Sequence, residues 1–170
     1  ILSTGNIAKQ FARGLAVVDD AQLVAVGSRS QASADEFGDE FDVPRRHASY
    51  EALANDPEID VIYIGTPHPF HKENALMCIN AGKAVLVEKP FTINAKQTQA
   101  VIDAARSKGV FVMEAMWTRF VPAMAKVREL LAQGIIGDIR MMNAEFCFRT
   151  GAGPEHRLLN PALGGGSLLD

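Results

Sequence analysis

The strongest pattern along the chain is an unbroken apolar run, Ala84-Val85-Leu86-Val87, that ends abruptly in Glu88-Lys89-Pro90. A run without polar alternation suits a strand covered on both faces, as in a parallel sheet flanked by helices. Similar strands are predicted over 21–27, with Leu23, Val24 and Val26 buried, over 60–64, and over 110–113. Ile1-Leu2 reads as the last two residues of a further strand. Between these runs the apolar residues recur at helical spacing, first as Ile7, Phe11 and Leu15. An amphipathic helix is predicted over 31–41, and a short one over 49–54 precedes the turn Asn55-Asp56-Pro57. Ala75, Leu76, Met77 and Ile79 mark another helix, which stops at Gly82. Val101, Ile102 and Ala105 mark the next, opened by a capping box of Asn94 and Gln97 and closed by Gly109. Strands and helices in alternation predict an α/β fold, a Rossmann-type doubly wound parallel sheet with right-handed crossovers.

The alternation stops at Glu114. From there to Phe120 the only tryptophan, Trp117, stands between Glu114 and Arg119, just past a strand end. Trp117 suits a pocket wall or a core position, and Arg119 suits a phosphate or an ion pair with Glu114. A helix follows, with Pro122 in its first turn and Val127, Leu130 and Leu131 apolar, ending at Gly134. Imperfect alternation over 138–148 predicts a long strand, and 151–161 reads as a loop before Gly164-Gly165-Gly166. The chain therefore divides into a first domain over 1–118 and the beginning of a second over 119–170. Both ends interrupt an apolar pattern, so the expectation is a fragment.

Composition narrows the function classes. At 170 residues, 48% hydrophobic and 22% charged, the chain is an ordinary globular one, long enough for one full core. A net charge of −3 gives no footprint for nucleic acid, and no apolar run reaches the roughly 20 residues of a membrane span. The two cysteines, Cys78 and Cys147, read as buried thiols rather than as a disulfide or metal pair. The four histidines lack cysteine or carboxylate partners at ligand spacing, so no metal site is expected. No signal peptide is visible, which points to a cytoplasmic protein.

Candidate chemistry lies where the strands end, because open α/β sheets bind ligands beyond their carboxyl edge. Ser3-Thr4-Gly5-Asn6-Ile7-Ala8 joins a strand to a helix, with Gly5 and Ala8 in the second and third places of the dinucleotide fingerprint and Ser3 in the first. The same residues also suit a plain helix start with Asn6 as its N-cap. About 20 residues after such a turn, an acidic side chain selects NAD and an arginine accommodates the 2′-phosphate of NADP. Arg29 stands there between Ser28 and Ser30, which favours NADP over NAD unless Arg29 only caps a solvated turn. The loop 65–71 is fixed by Gly65, Pro67 and Pro69, which fits a backbone held against a ligand and carries Thr66 and His68. His71 is placed to meet a cofactor or to cap a loop carbonyl. Lys89 leaves the sheet where a substrate oxygen would sit; read locally, Glu88-Lys89 also suits a solvated turn before Pro90.

Taken together, these motifs resemble the glucose–fructose oxidoreductase / inositol dehydrogenase / MocA family over essentially the whole chain. Ser3 to Ala8 is similar to its shortened nucleotide fingerprint, Ala81-Gly82-Lys83 with Glu88-Lys89-Pro90 to its A-G-K…E-K-P signature, and Gly164 to Asp170 to its G-G-G-x-L-x-D segment. Ser28-Arg29-Ser30 and the 114–120 stretch resemble the NADP-dependent branch of dihydrodiol and D-xylose dehydrogenases. The resemblance implies hydride transfer between a nicotinamide and a secondary hydroxyl of a sugar or cyclic diol, with Lys89 and Asp170 catalytic. It implies a cofactor held by Ser3, Thr4, Gly5, Asn6, Ile7, Ser28, Arg29, Ser30, Thr66, His68, His71, Glu88, Lys89, Trp117 and Arg119. It also implies an α+β second domain with a mainly antiparallel sheet, an acid–base residue beyond Asp170, homodimers or higher homo-oligomers, and little turnover from 170 residues alone. Two alternatives remain within the fold: a non-catalytic nucleotide-binding regulator or sensor, and a relative that recycles tightly bound NAD.

Overall fold

The structure, a computed structural model, describes residues 1–169. Leu2 sits in the middle of the sheet, bridging in parallel to Gly27 on one side and to Ile64 on the other. Beyond Gly27 lie β1 (Ala25–Gly27) and β2 (Arg45–His47); beyond Ile64 lie β3 (Val61–Ile64), β4 (Ala84–Glu88) and β5 (Val112–Ala115). Every pairing is parallel. The order β2-β1-Leu2-β3-β4-β5 reverses at the central position, which is the doubly wound arrangement and puts a crevice at the carboxyl edge of that centre.

Residues alternate between two cores because side chains along a strand point to opposite faces. Ile62, Ile64, Val85 and Val87 pack with Ala75 and Ile79 of α4 (His71–Asn80) and Val101 of α5 (Ala95–Lys108), alongside α3 (Tyr50–Ala54). Val26 and Tyr63 face the other way, onto Ala8 and Ala12 of α1 (Asn6–Leu15) and Phe37 of α2 (Gln31–Phe41). Each face alone would leave the other wet; together they bury Val26, Ile62, Ile64, Val85 and Val87 completely, while β5 stays half-buried.

Several expected boundaries move, each for a local reason. Gly109 closes α5 with a φ of 65°, and Val110 N–H donates back to Ala105 O, so β5 begins at Val112 rather than at 110. Asn94 caps α5 by accepting from Gln97 N–H, but Gln97 Oε1 is buried without a partner, so only half of the expected capping box forms. The predicted strand over 21–27 is confined to Ala25–Gly27, with Leu23 and Val24 only half-buried. The long strand expected over 138–148 is not formed. Its apolar residues Met141, Met142 and Phe146 are exposed, and a strand without a neighbour leaves its backbone groups unpaired. Cys147 is exposed, contrary to expectation, whereas burial pushes the Cys78 thiol up to about 12. The helix α6 (Pro122–Ala132) starts on Pro122 as expected and buries no residue. Among the described residues, no helix is long and apolar enough to cross a membrane.

Strand β2 escapes a hydrophobic reading because Arg45, Arg46 and His47 are polar. Its anchor is Asp56, whose buried carboxylate accepts from Arg45 Nε at 2.6 Å and Nη2 at 2.8 Å and from Glu58 N–H at 3.0 Å, with His47 Nε2 at 2.8 Å. The Arg45 guanidinium is the main reason the carboxyl is held well below the usual carboxylate range. A depressed pKa means stability that is complete above the unfolded value of about 4 and is lost as pH falls from there towards the folded value. Asp56→Ala is therefore expected to lower the melting temperature by roughly 5 °C at pH 7, with the gap to wild type narrowing below about pH 4. Thermal unfolding at pH 7 and pH 3 checks this; an equal gap at both would remove the assignment.

Candidate active site

Loops leaving Leu2, β1, β3 and β4 converge on one cavity of about 820 Å³ at the carboxyl edge of the sheet. The first loop explains the missing glycine. Ser3 adopts φ 102°, a conformation that costs a non-glycine residue on the order of 1–3 kcal/mol. Its Oγ donates to Gly65 O at 2.9 Å, an offset that glycine lacks. Ser3 thus holds a glycine-like turn while tying two loops together. Gly5, not Asn6, is the N-cap of α1, and no side chain caps that helix. A methyl on Gly5 would meet no protein atom within 4 Å. The first-turn N–H groups of α1, with a side-chain-free approach at Gly5, form a cradle that fits a pyrophosphate. Thr4, Asn6 and Ile7 line the same wall.

The second loop supplies Ser28, Arg29 and Ser30. Ser28 is buried, Arg29 is exposed at the cavity wall, and Ser30 caps α2 by accepting from Ser33 N–H. Ser33 and Tyr50 complete this part of the lining. Burial raises the Tyr50 phenol, and the charge of Arg29 opposes that rise.

The third loop brings Thr66 and His68, both buried, to the cavity. His71 takes the second of its two expected places. It is fully buried at the start of α4, with Nδ1 2.8 Å from Pro90 O and Nε2 2.7 Å from Thr66 O. It ties the loops after β3 and β4 to each other and does not line the cavity.

The fourth loop carries Glu88 and half-buried Lys89 to the cavity wall. Trp117 and Arg119 were expected there, but they lie in an exposed helical turn (Trp117–Phe120) outside the lining. Nor does Glu114 pair with Arg119: it accepts from Phe91 N–H at 2.8 Å. Asp170, expected to be catalytic, lies outside the described residues. Ser33, Tyr50 and Arg157 line the cavity without having been singled out in the sequence. Tyr50 and Ser33 read there as ordinary helix residues, and no local pattern marks Arg157. Among the described residues, no group of three His, Cys, Asp or Glu side chains is placed to hold a metal ion.

A doubly wound sheet, a glycine turn opening a helix N-terminus and a lysine at the end of β4, two places along the sheet, define the nucleotide-binding half of an oxidoreductase. The chain belongs to the GFO/IDH/MocA family: residues 1–116 match the oxidoreductase family, NAD-binding Rossmann fold, and residues 124–170 match the GFO/IDH/MocA C-terminal domain. Over its full length it is 47% identical to trans-1,2-dihydrobenzene-1,2-diol dehydrogenase of Mus musculus and 44% identical to that of Homo sapiens, covering 51% of each. It thus spans about half the length of the curated relatives it matches. Among solved structures, an NAD binding oxidoreductase from Klebsiella pneumoniae superposes with TM-score 0.75 at 28% identity, over 80% of this chain and 38% of that one. A 3-ketoreductase from Actinomadura kijaniata in complex with NADP superposes with TM-score 0.74 at 28% identity, over 82% of this chain and 44% of that one.

Proposed function

We propose that the protein carrying this chain transfers a hydride between NADP and a secondary hydroxyl of a sugar or cyclic diol. The observation that carries this reading is that Lys89, Gly5 and Arg29 line one cavity. Strands β1 and β4 stand three places apart in the sheet, a span of about 14 Å at ~4.8 Å per strand. That span suits an extended dinucleotide lying across the edge, with its phosphates at the α1 N-terminus between its two ends. Arg29, with the Ser28 and Ser30 hydroxyls, offers charge-assisted donors to a 2′-phosphate. Glu88 is the only carboxylate among the described lining residues, so no acidic side chain competes at the Arg29 loop.

The bound nicotinamide supplies the hydride acceptor or donor. The contribution of this chain is the Lys89 ammonium, which hydrogen-bonds the substrate oxygen, lowers the pKa of its hydroxyl and stabilises the alkoxide character that develops as the hydride departs. The dihydrodiol activity named for the relatives fits such a substrate class. The test is NADPH formation by the intact protein from NADP with trans-1,2-dihydrobenzene-1,2-diol or D-xylose. Turnover that depends on added NADP is expected. Cofactor binding without turnover would instead identify a sensor, and NAD retained through purification without exchange would identify a recycling enzyme.

A further inference from the structure

We infer that Tyr63 is a positioning residue for this reaction, acting through Glu88 on the backbone of Lys89. The inference rests on the proposed role of Lys89 and deepens it. Tyr63 of β3 pairs in register with Leu86 of β4, so Glu88, two residues further along, projects on the same face. The Tyr63 hydroxyl donates to Glu88 Oε1 at 2.7 Å, and Glu88 Oε2 accepts from Lys89 N–H at 3.0 Å. One carboxylate therefore joins a core tyrosine to the peptide that carries the lysine.

The tyrosine is held on its own account. Its ring is only 4% exposed and stacks on Phe11, with centroids 3.7 Å apart and planes 1° from parallel. Burial, and after it the Glu88 carboxylate, raises the phenol, so it remains a proton donor throughout the working range of a dehydrogenase. Glu88 shares the cavity wall with three cations, Arg29, Lys89 and Arg157. A carboxylate relieved of the Tyr63 hydroxyl would be drawn towards those charges. The hydroxyl keeps it turned onto the Lys89 N–H instead, and so fixes the peptide from which the lysine side chain leaves the strand. The ring packs the core and the oxygen sets the site, which makes the two roles separable by Tyr63→Phe.

The experiment is a double-mutant cycle in the intact protein, read by steady-state kinetics. Tyr63→Phe is expected to lower kcat about tenfold, with KM for NADP within twofold of wild type and the melting temperature nearly unchanged. If the effect passes through Glu88, Tyr63→Phe/Glu88→Ala loses no more activity than Glu88→Ala alone. Fold losses that multiply, or a Tyr63→Phe variant with normal kcat, would overturn the inference. Glu88→Ala probes the link from its other end: reduced kcat with NADP affinity retained supports it, and unchanged kcat overturns it. Lys89→Met serves as control, since activity surviving in that variant would remove the reaction itself rather than the part played by Tyr63.

Discussion

Lys89→Met in the intact protein is expected to lower kcat by about three orders of magnitude while NADP binds within threefold of wild type. Methionine keeps an unbranched stem of similar length and removes only the ammonium. Strand β4 supplies the rigid base for that side chain: Val85 and Val87 are fully buried, and the strand is hydrogen-bonded on both sides, to β3 and to β5. The change therefore falls on the group proposed to meet developing charge. Interactions made only with the transition state lower kcat and leave cofactor affinity largely untouched. Stopped-flow hydride transfer and a fluorescence titration with NADPH separate the two quantities. Normal turnover in the variant would sink the mechanism, and equal loss of binding and turnover would make Lys89 a cofactor contact only.

Arg29→Ala is expected to weaken NADP about a hundredfold and to leave NAD within about threefold, so the preference between them collapses. Arg29 is exposed, and a surface substitution of this kind disturbs the fold little. A contact between a guanidinium and a phosphate dianion is charge-assisted and, at the surface, screened by salt. The wild-type preference for NADP is accordingly expected to shrink as ionic strength rises, whereas the variant should show little such dependence. Paired titrations with both cofactors at low and high salt test this. An unchanged ratio in the variant would shift the choice of cofactor to Ser28, Ser30, Ser33 and Tyr50, the other polar side chains lining that part of the cavity.

The parts of the fold legible in the sequence were those carried by apolar periodicity. The β3 and β4 runs, the helix stop at Gly109 and the alternation of strands with helices follow from burial and from glycine's freedom at positive φ, both visible in letters. Strand β2 was not legible because an edge strand of three polar residues has no hydrophobic signature; it is held by Asp56, nine residues or more away from its partners in the chain. The 138–148 stretch shows the opposite failure. Its alternating letters suit a strand, but alternation supplies no hydrogen-bonding neighbour. At the site, Gly5, Arg29 and Lys89 were legible because each sits at a fixed offset from a strand end. Arg157 was not, since it arrives from a loop nearly seventy positions after Lys89 and only the folded chain brings the two together. Trp117 drew attention by its rarity, and rarity says nothing about where a side chain ends up.

The turn at Ser3 bears on how such sites are found. What the first place of the fingerprint demands is a torsion angle, and here a hydroxyl-bearing residue meets that demand by gaining a contact that glycine has no atom to make. A search that insists on glycine in that place passes over this turn, while a search by dihedral recognises it. In this chain the mouth of the cavity is latched by that side chain to the loop that follows β3.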